Sequence, residues 1–326
     1  MFDIITFGSA TWDIFIKPKR FQRVLDEKKF ITGKGICFDL GLKIDVENIF
    51  FSSGGGGTNT AVAFAKQGFK VAFCGIIGND LDGEKIISEL KKSRVETKYI
   101  IKTNKRPTNH SIILRGKKER TIFAYRGASE MLKKKNIPWK KLKSKWFYLA
   151  PLSGNLCYNF ESIVNFASKN KIKTAVNPGI CQLSLSNEKI KKILKKVDIL
   201  FLNQEEASFL TEVPYRKEKE IFKKIDELCP GIAVMTKGSK GAVVSDGKYL
   251  YRAGILNTRV IDKTGAGDSF ASGFLTGFIK SKENIEFALQ LAIANSSFCL
   301  KEIGAKKGLL KKGEKFPKVK IKKRKL

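Results

Sequence analysis

With 326 residues, 42% of them hydrophobic and 29% charged, the chain is long enough to bury a sizeable core as one large α/β domain or two smaller ones, and its Phe-heavy aromatic share of 10% excludes a disordered chain. Lys and Arg total 63 against 31 Asp and Glu, a net charge of +32 that attracts polyanions and anionic small molecules over long range. His110 is the only histidine, which excludes a zinc centre built on several histidines and any catalytic scheme that needs two.

The segment Met1–Gly8 carries no basic leader, and no apolar run reaches the ~18 residues of a membrane span. The expected location is the cytoplasm. Cysteines 37, 74, 157, 181, 229 and 299 form no CxxC pair and mostly lie in apolar runs, so they read as small core residues in a reducing compartment.

In chain order, Ile4–Phe7 reads as a buried strand, Ala61–Gln67 as a helix, Lys70–Ile76 as a strand and Gly83–Lys92 as a helix. Further strands are expected at Trp146–Ala150, Thr174–Asn177, Asp198–Asn203 and Ile232–Thr236, with helices between them. This alternation predicts a doubly wound, mostly parallel sheet flanked by helices. Two stretches break the rhythm. Ile31–Phe51 mixes Lys, Asp and Gly with alternating apolar residues. Lys98–Tyr125 reads as short strands at Tyr99–Lys102, His110–Arg115 and Thr121–Tyr125, the last two joined by a loop at Gly116–Glu119. Strands without helices suit a small β-sheet lid, taken as about 12–52 and 98–127 of a domain spanning 1–305. His110, alone in a strand, reads as structural. The basic segment 306–326 repels itself and reads as a mobile tail.

Four segments could carry chemistry. The first is the run 52–60, Ser52 and Ser53 followed by Gly54–Gly57, Thr58, Asn59 and Thr60, whose four glycines let a ligand approach the backbone before a helix N-terminus; a flexible capped loop reads the same way. In Asp262–Asp268 (DKTGAGD), a strand at Thr258–Ile261 feeds a Gly-rich turn that opens a helix over Ser269–Ile279. The amides of Gly265, Ala266 and Gly267 can converge on an anion there. The helix end favours an ionised Asp268, which could take an alcohol's proton during attack on a phosphoryl group. Asn203 and Glu206 share a helix face and could hold Mg²⁺ through water, although an ordinary acidic helix cap has the same pattern. Thr236–Gly241 is either a phosphate or ribose turn or a plain hairpin. No Walker loop and no protein-kinase motif is present.

Together and in this order, these segments resemble the ribokinase-like (PfkB) family of carbohydrate and nucleoside kinases over nearly the whole chain. Gly8–Asp13 resembles the opening strand whose Asp faces the substrate. Gly54–Asn59 with Ala61–Gly68, continuing into Gly75–Asp80 and Gly83, resembles the N-terminal signature. Asn203–Glu206 is similar to the N-x-x-E element, and Thr264–Asp268 to the C-terminal signature. The resemblance implies a ribokinase-like fold with the acceptor between lid and sheet and ATP along the C-terminal half. Asp268 would be the base, with Gly265, Ala266 and Gly267 stabilising the transferring group. Asp13, Gly55, Gly56 and Asn59 would bind the acceptor. Asn203, Thr236, Gly238, Gly241 and Asn295 would bind ATP, with Gly304 and Ala305 near the adenine. Mg²⁺ would be held by Glu206 through water, and a monovalent cation such as K⁺ is an option at Asp262. Two positions depart from the pattern. Lys263 replaces a small or β-branched residue, and Gly56 stands where ribokinase itself has Lys, which weakens a ribose assignment.

The leading expectation is therefore an ATP-dependent kinase that phosphorylates a hydroxymethyl group of a small sugar. The alternative is an adenosine-type nucleoside kinase of the same fold, with Phe15, Phe38 and Phe51 available to clamp a base. A third reading is a nucleic-acid binder that uses the basic tail. Its binding would fall steeply with salt and disappear without residues 312–326. A homodimer through exposed lid edges is compatible with all of these.

Overall fold

The computed structural model describes residues 1–26, 28, 34–116 and 120–326. In chain order the strands are β1 (Phe2–Phe7), β2 (Thr11–Pro18), β3 (Gln22–Leu25), β4 (Lys34–Cys37), β5 (Val46–Gly54), β6 (Val71–Gly78), β7 (Val95–Thr103), β8 (Asn109–Arg115), β9 (Arg120–Tyr125), β10 (Ser144–Leu149), β11 (Lys173–Val176), β12 (Ile199–Asn203), β13 (Ile232–Thr236), β14 (Ala242–Ser245), β15 (Tyr249–Ala253) and β16 (Ile321–Lys325). The helices are α1 (Gly56–Lys66), α2 (Leu81–Lys92), α3 (Asn155–Tyr158), α4 (Phe160–Lys169), α5 (Ile180–Leu183), α6 (Asn187–Leu194), α7 (Gln204–Thr211), α8 (Glu218–Leu228), α9 (Ala266–Lys280) and α10 (Ile285–Cys299).

Ten strands form one sheet in the order β16-β15-β14-β13-β12-β11-β10-β1-β6-β7. The pairs from β7 across to β13 are parallel, and β14, β15 and β16 extend the sheet antiparallel. Alternate residues of the inner strands face opposite sides. Ile5, Phe7, Phe147 and Leu149 enter one core with α4, α6 and α8, while Ile4, Phe73, Trp146 and Tyr148 enter the other with α1, α2, α9 and α10. From β1 the chain first builds outward through β6 and β7, then returns to β10 on the other side. Such a reversal opens a crevice at the carboxyl ends of the strands, beside β1 and β10.

The lid is a separate sheet in the order β5-β2-β8-β9, with β3 and β4 pairing apart from it. His110 on β8 has the structural role expected of it. Its Nε2 lies 2.9 Å from Asp82 Oδ2 on α2 and its Nδ1 lies 2.8 Å from the Thr108 carbonyl, so it ties the lid to the main domain. The loop expected at Gly116–Glu119 falls largely outside the described residues, as do residues 31–33 of the first lid stretch.

Four local expectations are corrected. Tyr99–Lys102 belongs to β7 of the main sheet, because the α2 crossover returns the chain parallel to β6 and Val95 and Tyr99 bury there. Thr258–Ile261 is irregular rather than a strand. The free side of β15 is taken by β16, and the amides of Ile261 and Asp262 turn instead to the Leu300 carbonyl at the end of α10. Residues 306–326 do not form a loose tail. Leu309 and Leu310 are buried, Gln67 Nε2 donates to the Leu310 carbonyl at 2.9 Å, and Ile321–Lys325 pairs with β15. A backbone ladder forms whatever the side-chain charge, and lysines suit an edge strand. Finally, the cysteines are not all isolated core residues. Cys37 and Cys181 are exposed, and Cys181 is bonded to buried Cys157 with Cα atoms 6.2 Å apart. Adjacent parallel strands β10 and β11 bring the segments that follow them together.

Candidate active site

The crevice is built from segments distant in sequence. The glycine run, expected to lead into a helix over Ala61–Gln67, is itself the start of that helix: α1 begins at Gly56, with Gly55 as its N-cap. Gly57 donates its amide to the Ser9 carbonyl after β1, which docks the helix start on the carboxyl end of the sheet. Gly56 leaves space where a side chain would intrude. A Cβ there would lie 2.8 Å from Ala150 Cβ and 3.4 Å from Asp268 Oδ1.

Gly265 caps α9 in the left-handed region at φ 76, which glycine adopts without the steric cost a side chain brings. Ala266, Gly267 and Asp268 form the first turn of α9, where backbone N–H groups have no helical partner and favour an anion. Asn59 Nδ2 on α1 donates to Asp268 Oδ2 at 2.8 Å, joining the two signatures across 209 residues of sequence. Burial raises the Asp268 carboxyl above the ordinary aspartate range, while the Asn59 hydrogen bond and the Lys306 charge pull it down. Asn59 Oδ1 is buried without a partner, so the pair retains an acceptor position that a ligand hydroxyl could fill.

Asp13 lies across the crevice on lid strand β2, on the same face as Ser52 and Ser111. Burial pushes its carboxyl up to about 6 against the pull of the Ser111 hydrogen bond and of Lys306. Phe15 shares this face and packs on Phe50 at 5.8 Å. Phe51 points to the opposite face and Phe38 lies out by β4, so the three phenylalanines do not form one clamp.

The nucleotide-side residues divide into two groups. Asn203 and Thr236 are partners at the carboxyl ends of neighbouring strands β12 and β13. Gly238 and Gly241 belong to the turn of the β13–β14 hairpin, so the plain hairpin is present whatever else the turn does. Asn203 and Glu206 form a reciprocal helix cap. Asn203 Oδ1 accepts from the Glu206 amide and Glu206 Oε2 accepts from the Asn203 amide, each at 2.8 Å. Burial raises the Glu206 carboxyl, with the Asn203 amide opposing. Asn295 does not fit its expected role. It is 2% exposed, its Nδ2 donates to the Ser269 carbonyl and its Oδ1 accepts from Leu310, so it braces α9 instead of facing a nucleotide. Ala305 packs behind Gly265, and Gly304 donates to Asp262 Oδ2.

Asp262 is occupied as well. Its Oδ1 accepts from the Thr264 amide and hydroxyl and from Arg120 on β9, and its Oδ2 accepts from the Gly304 amide. No cluster of three or more His, Cys, Asp or Glu suited to a metal exists among the described residues. Sequence reasoning missed Arg120, Ser111 and Lys306, and gave Ser53, inside its first candidate run, no role of its own. Lys306 is 6% exposed and donates to Ser53 Oγ inside the crevice. In a chain with 63 basic residues, no local signal distinguishes it.

Comparison with known proteins gives the family and the fold. The pattern of the pfkB family carbohydrate kinases matches residues 34–312. A ribokinase from Haemophilus influenzae is 30% identical over 274 residues, covering 81% of this chain and 86% of its own. The crystal structure of the Methanocaldococcus jannaschii nucleoside kinase, an archaeal member of the ribokinase family, covers 95% of both chains at 20% identity with a TM-score of 0.71. The structure of Arabidopsis thaliana ribokinase complexed with ribose and ATP covers 94% of this chain and 95% of its own at 21% identity and a TM-score of 0.73. With the family's pattern matched over most of its length and both signatures meeting in one crevice, the chain belongs to the pfkB family of carbohydrate kinases and is a phosphotransferase with an alcohol group as acceptor.

Proposed function

We propose that the protein transfers the γ-phosphoryl group of ATP to a hydroxymethyl group of a small sugar, with Asp268 as general base. The observation that carries this reading is the 2.8 Å hydrogen bond from Asn59 to Asp268. It orients one carboxylate at the mouth of the Gly265–Gly267 amides, beside the space left by Gly56. Asp13 and Asn59 hold the acceptor hydroxyls, and Asp268 takes the proton of the attacking oxygen. The first-turn amides of α9 meet the charge on the transferring group, as positioning and electrostatics require in such transfers. Asn203, Thr236, Gly238 and Gly241 line the nucleotide side. Mg²⁺, when bound, neutralises phosphate charge, and Glu206 orients its water.

A nucleoside acceptor is the second reading, favoured by the likeness to the archaeal nucleoside kinase. The separation of Phe15 from Phe51 across the lid sheet argues for the sugar. The outer face of the lid exposes Ile49, Phe51, Ile112, Phe123 and Tyr125 together, the surface on which a second copy of the chain would pack. Sedimentation of the wild type against Phe123→Lys tests that contact.

The deciding experiment offers ketoses, ribose and nucleosides with ATP and Mg²⁺ to the wild type and to Asp268→Asn, with products read by mass. A phosphorylated sugar formed only by the wild type is expected. A phosphorylated nucleoside selects the second reading, and a fully active Asp268→Asn removes the assigned base.

A further inference from the structure

Glu218 stands in the first turn of α8, and both of its carboxylate oxygens are taken. Oε2 lies 2.5 Å from Lys237 Nζ, in the turn that follows β13, and Oε1 meets Arg252 Nη2 on β15. The Glu218 side chain is 11% exposed and that of Lys237 17%, whereas a pair such as Lys192 and Glu188 is solvated on both sides. Taking a carboxylate and an ammonium out of water cancels much of what their attraction gains, so a pair of this kind is a weak device for stability. An acid in the first turn of a helix is favoured by the helix end alone and calls for no lysine from another segment.

The segments that Glu218 joins are those that shape the turn 237–241. Lys237 donates its amide to the Gly241 carbonyl at 2.8 Å and accepts from the Lys240 amide at 3.0 Å, so its backbone closes the turn. Gly241, at φ 84, lies so close to β15 that a Cβ would come within 2.0 Å of the Ala253 carbonyl oxygen. Arg252 is the residue before Ala253. The turn thus rests on β15 through Gly241 and on α8 through Lys237, and Glu218 closes the ring by holding Lys237 and Arg252 on one carboxylate. Gly238, at φ 54 in the same turn, has nothing within 4 Å of where a Cβ would stand. The turn is braced on one side and open on the other.

We propose that Glu218 is a positioning residue for the nucleotide, fixing the turn 237–241 through Lys237 and Arg252 so that its open face meets ATP, without touching the nucleotide itself. This rests on that turn lining the nucleotide side. Without the carboxylate, Lys237 and Arg252 are two like charges brought to one place, and their repulsion loosens the turn from β15. The loss falls on ATP and spares the acceptor, which Asp13 and Asn59 hold on other elements.

The test measures binding of a non-hydrolysable ATP analogue by calorimetry, and the KM for ATP and for acceptor, in wild type, Glu218→Gln, Lys237→Met and the double variant. Each single variant should weaken the analogue about 10-fold, the scale of a lost charged hydrogen bond. In Glu218→Gln the KM for ATP should rise alike, with kcat at saturating ATP and the KM for acceptor unchanged. The double variant should be no worse than either single one, since both remove the same contact. Unchanged analogue binding in Glu218→Gln, whatever its melting midpoint, overturns the proposal. Additive losses in the double variant also overturn it, because Lys237 would then act on the nucleotide independently of Glu218. Hydrogen exchange of the wild type separates these failures from failure of the underlying reading. The amides of 238–241 should gain protection when the analogue binds. Amides unmoved by the analogue remove the turn from the nucleotide side, and the proposal falls with it; amides protected while Glu218→Gln binds normally remove Glu218 alone. If Glu218→Gln does not fold, Lys237→Met and Arg252→Met decide, and unchanged analogue binding in either overturns the proposal.

Discussion

Arg120, on lid strand β9, donates through one guanidinium nitrogen to Asp262 Oδ1 at 3.1 Å and to Thr264 Oγ1 at 2.9 Å. Thr264 immediately precedes the Gly265–Gly267 turn, and Arg115, paired with Arg120 across the β8–β9 hairpin, reaches the Ile261 carbonyl at 3.3 Å. The lid is thereby latched to the loop that shapes the anion site. Arg120→Gln should lower kcat/KM by roughly 10-fold or more, the scale of a lost charged hydrogen bond, with Arg120→Lys intermediate because it keeps the charge but is the more strongly hydrated cation. Steady-state kinetics with the two variants checks this.

Asp268→Asn keeps the shape of the base and removes its charge. Turnover should fall at least ~10²-fold with nucleotide binding retained, as expected for loss of a general base. In the wild type, kcat/KM should rise with pH through an apparent value above that of an ordinary aspartate, because burial raises the Asp268 carboxyl and activity needs the deprotonated form. A pH–rate profile flat down to ordinary aspartate values would contradict this.

Asp13 sets function against stability. Its carboxyl is pushed from the ordinary 3.8 up to about 6 in the fold. The folded state therefore holds the proton more tightly than the unfolded chain. The stabilising contribution is complete below 3.8 and is lost as pH rises through about 6. Asp13→Asn should raise the melting midpoint by a few degrees near neutrality and little near the acid end. It should also cost roughly 10-fold or more in kcat/KM for the acceptor, the scale of a lost charged hydrogen bond. Melting curves at two pH values and acceptor kinetics test both halves.

Deleting residues 321–326 removes strand β16 and uncovers the edge of β15, including the half of Tyr249 and Tyr251 on which Lys323 lies at 4.2 and 5.1 Å. The melting midpoint should drop and the protein should become prone to association through the bare edge. Light scattering and calorimetry check this. Were the segment a loose tail, neither reading would change.

The alternation of apolar strands and amphipathic helices made the main sheet legible, because each strand buried on both faces reads as a continuous apolar run, as in Val71–Gly78. The two signatures were legible for a different reason. Glycines beside Asn59 and Asp268 mark backbone approach and a helix start, both local properties. Failures came where a partner element decides the outcome. Tyr99–Lys102 has strand character, but its membership in the main sheet depends on β6. Thr258–Ile261 has the same character, and it is denied a strand because β16 occupies β15. The strand at Ile321–Lys325 has almost no apolar content, and only the free edge of β15 makes it one.

By itself the sequence determined the α/β architecture, the two glycine-rich approaches to helices at 54–60 and 262–268 and the identity of the carboxylate at the second of them, since periodicity and glycine placement are encoded residue by residue; that the helices begin earlier, at Gly56 and Ala266, came from the structure. Only the tertiary structure decided that Asn59 meets Asp268, that Arg120 fills Asp262, that Asn295 is a brace and that Lys306 lies inside the crevice. Each of those is a contact between segments far apart in the chain. Whether a charged side chain is solvated or buried against a carboxylate depends on what packs over it, which no stretch of local sequence records.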